Sequence, residues 1–322
     1  MAIGITGAVF ASFMWGMKPA IGADIIIGNG ASAGVHYNIG RAICRQVKRA
    51  VNGVSCEAHR IDGKDAAEPL AVLSDLRNAA LEVGIVSSDW QFHAVKGSGP
   101  FKFLDFKFDN LRALFSLYGE SFTVIARRDS GIDSLDDLVG KRINIGEPGS
   151  QQREMMRMVM QAKGWTRRTF QYVDELPELE QTLALCHNRV QAIVTTVAHP
   201  NPAVARAIEL CDAKIIEISN AEVEKLIAAD QYLLATVIPS GLYTDMVKSV
   251  KSFGVRVSAL SSSDMGEDLI YTIVKSIFDD LNNFKRLHRA LGNLAPDRMA
   301  VDGLTAPIHS GALRYYREQG MM

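Results

Sequence analysis

Short apolar runs alternate with segments of helical period along most of the chain. Residues 25–27 form a β-branched run that ends at Gly28, and a tip of small and polar residues follows. Apolar residues then recur on one helical face, at Val35, Ile39, Ala42, Ile43, Val47 and Ala50. This change of period predicts a strand, a tight turn and a helix. Such a unit places uncovered N–H groups and the positive end of a helix dipole where a small anion can bind.

The same alternation continues towards the C-terminus. Further strands are predicted at residues 54–60, 81–86, 111–118, 121–127, 141–145, 170–173, 190–195, 214–218, 233–238 and 253–260. Helical patterns lie between most of them, and the chain after residue 260 is predicted to be helical. Strands that alternate with helices indicate an α/β fold with parallel-rich sheets and helices on both faces. With 322 residues, the chain is long enough for two lobes.

The first 23 residues differ from the rest. Residues 1–17 carry no charge and are almost wholly apolar or small, and small residues precede a potential cut after Ala23. This pattern is typical of a cleavable secretory signal peptide, so we predict export from the cytosol. No Lys or Arg precedes the apolar run, which departs from the usual signal, and a buried N-terminal helix is the alternative.

The composition of the chain limits the functions that it can have. A hydrophobic content of 48%, a charged content of 22% and a net charge of -1 describe an ordinary globular protein, so nucleic-acid binding is disfavoured. The four cysteines are Cys44, Cys56, Cys186 and Cys211. They show no CxxC pair and no metal-ligand spacing. Disulfides are permitted outside the cytosol, but four buried small hydrophobic residues are the favoured interpretation.

Signs of catalysis are weak. Glycines 28, 30 and 34 give a spacing one residue longer than the dinucleotide fingerprint, and His59 and Arg60 stand where its acidic residue is expected. The P-loop, GxSxG and HExxH motifs do not occur. His199 precedes Pro200 at a strand tip, where a structural or ligand-contacting role is favoured over a general base. We therefore predict no catalytic residue, metal or cofactor. A dinucleotide- or Cys-dependent enzyme is the competing function, and a ligand-sensing module is a third possibility.

Hydroxyl groups recur where predicted strands lead into helices. Ser32 follows the first strand, Ser88 the third, and Ser150 a strand of the second lobe. An ordinary N-cap explains any one of them. Their presence at several strand ends of two successive α/β lobes favours a shared cleft, in which hydroxyls and N–H groups bind a carboxylate.

Five ordered motifs also resemble a known family: GNGASAGVHYNIG, VGIVSSDW, LRALFSLYGESFTVIARRDSGIDSLDDLVGKRINIGEPGSQ, TTVAHPNPAVARAIELCD and APIHSGALRYYREQG. They are similar to the TAXI solute receptors of TRAP transporters over residues 24–322. The resemblance implies a two-lobed periplasmic-binding-protein fold of class II type with a ligand cleft between the lobes. It also implies a small carboxylate ligand, such as a glutamate-like amino acid or another organic acid, and a TRAP membrane permease as partner. We expect a monomer.

The resemblance also implies domain limits and site residues. Residues 24–118 and 241–322 form lobe I and residues 119–240 form lobe II, with hinges near 118–121 and 238–241 and a return crossing at 233–238. The predicted ligand-binding residues are Gly30, Ser32, Gly34, His36, Tyr37, Ser88, Asp89, Gly149, Ser150, Gln151, Gln152 and His199. Departures from the family pattern at Ala31, His36, Gln152 and Lys64–Ala66 fall in the expected pocket, so the family's usual ligand is not assumed.

Overall fold

The computed structural model describes residues 24–29, 35–61 and 67–322. The predicted signal peptide, the tip residues Gly30, Ser32 and Gly34, and the turn at 64–66 lie outside the described residues.

Ten strands of the described chain form one mixed sheet. They are β1 (Asp24–Asn29), β2 (Ser55–Arg60), β3 (Val83–Ser87), β4 (Leu111–Arg127), β5 (Arg142–Asn144), β6 (Tyr172–Asp174), β7 (Ala192–Val197), β8 (Ala213–Ile216), β9 (Leu234–Ile238) and β10 (Val250–Ser262). The main order is β2-β1-β3-β10-β4-β7-β5-β6, with β8 paired to β4 and β9 to β10. Pairs at both outer ends are parallel, whereas β10 and β4 pair antiparallel with their neighbours.

Helices cover both faces of this sheet, as the α/β prediction requires. They are α1 (Val35–Ala50), α2 (Ala67–Arg77), α3 (Ser88–Lys96), α4 (Gln151–Ala162), α5 (Glu178–Cys186), α6 (Pro202–Leu210), α7 (Ala221–Ala229), α8 (Glu267–Phe278), α9 (Leu281–Arg286), α10 (Pro296–Met299) and α11 (Ser310–Glu318). Helix α1 has the bounds that its apolar period predicts, and Ile39, Ile43 and Val47 are buried on its inner face. No helix in the described ranges is long and apolar enough to cross a bilayer.

The hydrophobic cores fall into two halves along the sheet. In what we call the first half, β1, β2 and β3 pack on one face with α1 and α8, and residues of α2 pack on the other. In the second half, formed by β5 to β9, Met155 and Val159 of α4 lie in one cluster and Ile208 of α6 in another. Strands β4 and β10 contribute to clusters of both halves. They are therefore the strands that connect the two halves.

Strand β4 corrects one prediction. The two extended segments predicted at 111–118 and 121–127 are one continuous strand of 17 residues. Gly119 and Glu120 separate the two predicted segments and interrupt the apolar run. Both residues keep their place in the ladder, because Gly119 pairs with Arg256 and Glu120 with Val255 of β10.

Strand β10, not β9, makes the return between the halves. Its residues Val250 to Gly254 pair with β9 in the second half, and Val257 to Leu260 pair with β3 in the first. A strand rises about 3.3 Å per residue, so thirteen residues cover roughly 43 Å and five only about 17 Å. The prediction of a return crossing at 233–238 is therefore wrong, because β9 is too short to span both halves.

The cysteine prediction is also wrong. Cys44 of α1 is bonded to Cys56 of β2, and Cys186 is bonded to Cys211. The Cα atoms are 5.2 Å and 4.3 Å apart, respectively. The sequence could not reveal the pairs, because each depends on how a helix packs against a separate element. Two disulfides are typical of a protein from an oxidising compartment.

Candidate site at the junction of the two halves

Two helix N-termini from different halves meet at one edge of the sheet. Strand β3 is buried throughout and ends at Ser87, where α3 begins. Strand β5 ends at Asn144, and the turn that follows leads into α4, which begins at Gln151. The first N–H groups of a helix have no acceptor within the helix, and the dipole there is positive. This edge therefore favours an anionic ligand.

Gln151 connects the two helix ends directly. Its Nε2 donates to Ser87 Oγ at 3.2 Å and lies 3.3 Å and 3.2 Å from the two carboxylate oxygens of Asp89. Ser87 Oγ also donates to Asp89 Oδ1 at 2.5 Å. Asp89 is buried in the first turn of α3, where a negative charge is favourable. Of the predicted site residues, Asp89 and Gln151 are therefore brought into contact. A cavity of about 420 Å³ lies beside them.

The turn before α4 requires glycine. Gly146 and Gly149 have φ angles of +85° and +87°, a region that side chains rarely adopt. A Cβ at Gly146 would lie 2.7 Å from Gln152 Cγ and 3.1 Å from the backbone N of Arg153. The turn is thus folded tightly against the start of α4, which places the predicted residues Gly149, Ser150, Gln151 and Gln152 together.

The hydroxyls of Ser88 and Ser150 both form hydrogen bonds with backbone groups of the protein. Ser88 is fully buried, and its Oγ donates to the carbonyl of Tyr232 at 2.8 Å and accepts from the N–H of Arg256 at 3.2 Å. Ser150 Oγ donates to the carbonyl of Glu147 and accepts from the N–H of Arg153 as the N-cap of α4. Each hydroxyl thus donates its proton to a backbone carbonyl in this structure, and only Ser150 is an N-cap.

A second polar group lies where α1 meets β4. His36 Nε2 is 3.6 Å from Glu120 Oε1, and the rings of His36 and Tyr118 are 6.0 Å apart. Burial lowers the pKa of His36 to about 4, so the ring is neutral at pH 7. Glu120 was missed by the sequence prediction, although a single acid within a long apolar run was a usable signal.

Two polar atoms here have no hydrogen-bond partner in the described chain. They are His36 Nε2 and Thr196 Oγ1, both buried. Thr196 of β7 lies opposite Phe122 of β4, so it shares a face with Phe122 and with Glu120 two residues earlier. Buried polar groups in folded proteins nearly always have a partner. Both atoms lie near the junction of the two halves and have no partner that the described chain supplies.

His199 is held in a network of hydrogen bonds and also lines a cavity of about 630 Å³. The peptide bond before Pro200 is cis. Tyr243 OH accepts from the N–H of Asn201 at 2.7 Å and lies 2.6 Å from His199 Nδ1, while His199 Nε2 lies 2.9 Å from Thr123 Oγ1. The Thr123 hydroxyl donates to a backbone carbonyl, so the chain of bonds requires a proton on Nε2 and none on Nδ1. Burial lowers the pKa of His199 to about 4, consistent with this neutral ring.

Tyr37 lies elsewhere. The guanidinium of Arg60 stacks over its ring at 5.3 Å, and Tyr37 lines a groove together with Arg41 and Arg45 on the outer side of α1. The structure thus places Tyr37 beside β2 and does not bring it to Gln151. The remaining predicted residues, Gly30, Ser32 and Gly34, belong to the undescribed tip between β1 and α1. Within the described ranges, no group of three or more His, Cys, Asp or Glu residues is arranged to hold a metal ion.

The sequence profile of the NMT1-like family matches residues 27–320, which is nearly the whole chain. The chain belongs to the NMT1-like family. Comparison with solved structures shows which known proteins share the fold of this NMT1-like protein.

Three solved structures illustrate that relationship. MatC from Rhodopseudomonas palustris, with bound malate, has a TM-score of 0.55 at 12% identity over 92% of this chain and 96% of its own. A TctC solute-binding protein from Polaromonas, without ligand, has a TM-score of 0.54 at 12% identity over 82% and 86%. A sulfonate-binding protein SsuA from Methylobacillus flagellatus, described as putative, has a TM-score of 0.51 at 12% identity over 93% and 88%. The NMT1-like protein therefore has the fold of periplasmic solute-binding proteins.

Proposed function

We propose that this NMT1-like protein is an extracytoplasmic solute receptor of the TAXI type. It binds a small carboxylate between two lobes and delivers it to a TRAP-type membrane permease. In this proposal residues 1–23 direct export and are then removed, and the mature protein acts in the periplasm as a monomer. Family membership and the shared fold support the receptor class, and the sequence motifs support the TAXI type.

The contact between Gln151 and Asp89 carries the proposal. It joins the N-terminus of α4 in the second half to that of α3 in the first. The unpaired Nε2 of His36 and Oγ1 of Thr196 lie on the face of β4 that carries Glu120. A closed site with unsatisfied polar atoms is an arrangement suited to enclosing a small polar solute.

In our account the ligand carboxylate is held by backbone N–H groups, not by serine hydroxyls. The free N–H groups lie at the start of α4, near Gly149 and Gln152, and Gly30, Ser32 and Gly34 remain predicted ligand-binding residues. Glu120 of β4 and Asp89 of α3 are both buried acids of this junction. A second carboxylate on the ligand would be repelled there, whereas an ammonium group would be attracted. The site therefore favours an amino acid over a dicarboxylic acid.

The lobe limits need one revision within this proposal. Tyr243 and Phe253 pack in clusters of the second half, whereas Val257 packs in the first. We place the second hinge at 254–256 instead of 238–241, beside the first near 118–121. Gly254 lies at this crossing, where a Cβ would meet the carbonyl oxygen of Glu120 at 1.9 Å. Hinge bending at these paired segments would open and close the cleft.

A thermal-shift screen of residues 24–322 tests the function. The panel contains L-glutamate, other amino acids, dicarboxylates, sugars and NAD. We expect the melting temperature to rise with at least one small carboxylate, and more with amino acids than with dicarboxylates, because a ligand that binds only the folded state stabilises it. A shift from sugars or NAD alone would contradict the proposal. Turnover of the tightest ligand would favour the enzyme alternative.

A further inference from the structure

A second cavity lies behind the strands that connect the two halves. Its volume is about 630 Å³, and Gly119 and Ser121 of β4 line it. The side chain of Glu120, between them, approaches His36 instead. Because successive side chains of a strand point to opposite faces, Gly119 and Ser121 lie on the face of β4 opposite to Glu120. Tyr118, whose ring lies 6.0 Å from that of His36, also lines the cavity.

The walls of this cavity come from both halves. One wall is formed by residues 234–242, where Leu242 packs with the core of the second half. The opposite wall is formed by residues 289–298, where Leu294 belongs to the core around α1 and α8. A molecule that fills the cavity would therefore contact both halves at once.

Positive charge is concentrated on one wall. Arg256, Arg289 and Arg298 all line the cavity, and none of its lining residues is acidic. Arg256 and Arg298 share one carboxylate, Asp302, at 3.0 Å and 2.7 Å, and Asp302 itself is not part of the lining. Arg289 is exposed and has no ion-pair partner within the described ranges. The wall thus keeps an excess of positive charge facing the cavity.

The rest of the lining is apolar with a few uncharged polar groups. Leu234, Val237 and Leu242 supply the apolar surface, and Asn293 lies on the arginine side of the cavity. Thr236 Oγ1 is buried without a hydrogen-bond partner in the described chain.

We propose that this cavity is a second binding site, for an amphipathic organic anion. Its acidic group binds the arginines, because guanidinium groups hold carboxylate and sulfonate-like oxygens in paired hydrogen bonds. Its apolar body packs against Leu234 and Leu242. The volume lies within the range of about 300–1,000 Å³ that is usual for small-molecule sites. Because the occupant touches both halves, it favours one arrangement of them and couples to events in the cleft.

A fluorescence titration of residues 24–322 with 8-anilinonaphthalene-1-sulfonate tests the site. This probe has an aromatic body and one sulfonate, and N-phenyl-1-naphthylamine provides the same body without the charge. We expect saturable binding of the anionic probe at one site and at least tenfold weaker binding of the neutral one. Arg289→Gln should weaken the anionic probe about tenfold, as the loss of one charge-assisted hydrogen bond requires.

Two further variants make the test specific. Asn293→Asp adds a carboxylate beside the arginines without changing side-chain shape, and should also weaken the anionic probe. Arg286→Gln makes the same charge change as Arg289→Gln at an exposed arginine outside the lining, and should leave binding unchanged. Urea unfolding verifies that each variant is folded. Equal affinity of the wild type, Arg289→Gln and Asn293→Asp for the anionic probe, or equal affinity for both probes, would overturn the proposal.

Discussion

Replacing Gln151 with glutamate tests whether its contact with Asp89 helps to close the two halves. Gln151 Nε2 lies 3.2 Å from Ser87 Oγ and 3.2 Å from Asp89 Oδ2. Gln151→Glu keeps the side-chain shape but replaces a donor with a carboxylate, so an attractive contact becomes repulsive. The helix itself should tolerate the change, because an acidic residue is favourable in the first turn of α4.

The magnitude follows from the distance. Two unit charges about 4 Å apart repel by roughly 4 kcal/mol at an effective dielectric constant near 20. The lost hydrogen bond to a charged acceptor adds about 1.5–3 kcal/mol. Rotation of the new side chain into solvent relieves most of the repulsion, so we expect a net cost of about 2 kcal/mol to the closed arrangement. A penalty of that size weakens ligand binding by roughly 30-fold when closure is required for binding.

Calorimetric titration with the tightest carboxylate measures this effect. Small-angle scattering of the same samples should show a larger radius of gyration for Gln151→Glu. Gln171→Glu makes the same charge change at an exposed position of the second half and should match the wild type. If Gln151→Glu binds as tightly as Gln171→Glu and has the same radius, the Gln151–Asp89 contact has no part in closure.

Three further outcomes follow from individual residues. Burial lowers the pKa of His199 to about 4, so between pH 6.5 and 4 the unfolded chain binds more protons than the folded protein. The free energy of unfolding should therefore fall by up to about 3 kcal/mol as the pH drops through that window. Urea unfolding should show a smaller decline in His199→Asn. Gly254→Ala should cost more than about 2 kcal/mol, because its Cβ meets the backbone of β4, whereas Gly266→Ala, with open space around it, should cost much less. Replacing the Cys44–Cys56 pair with serines should lower stability by about 3 kcal/mol for a 12-residue separation, and an unchanged melting temperature would contradict that pairing.

Local patterns predicted much of the fold. The spacing of apolar residues predicted the observed bounds of α1, Val35–Ala50, because apolar residues on the buried face of a helix recur about every 3.6 residues. Long-range pairing was harder to predict. Gly119 and Glu120 interrupt the apolar run, yet strand β4 continues through them because both pair with β10, and the register of that pairing shifts only beyond Gly119. The disulfides were missed for a similar reason, since a pattern along one chain does not show which elements pack together.

The candidate site was predicted only in part. Asp89 and Gln151 came from the family resemblance, but their direct contact across the two halves could not be read from either motif. The hydroxyls of Ser88 and Ser150 were interpreted as ligand groups, whereas the structure shows them bonded within the fold. Glu120 was treated as hinge sequence, because its approach to His36 depends on how α1 packs over β4.

A crystal structure of residues 24–322 with the tightest-binding carboxylate would test the central claim most directly. We predict that the ligand carboxylate lies within hydrogen-bond distance of the N–H groups at the start of α4, near Gly149 and Gln152. We also predict that an amino group on the ligand faces Glu120. A ligand bound only in the arginine-lined cavity behind β4, or on the outer surface of either half, would contradict the account.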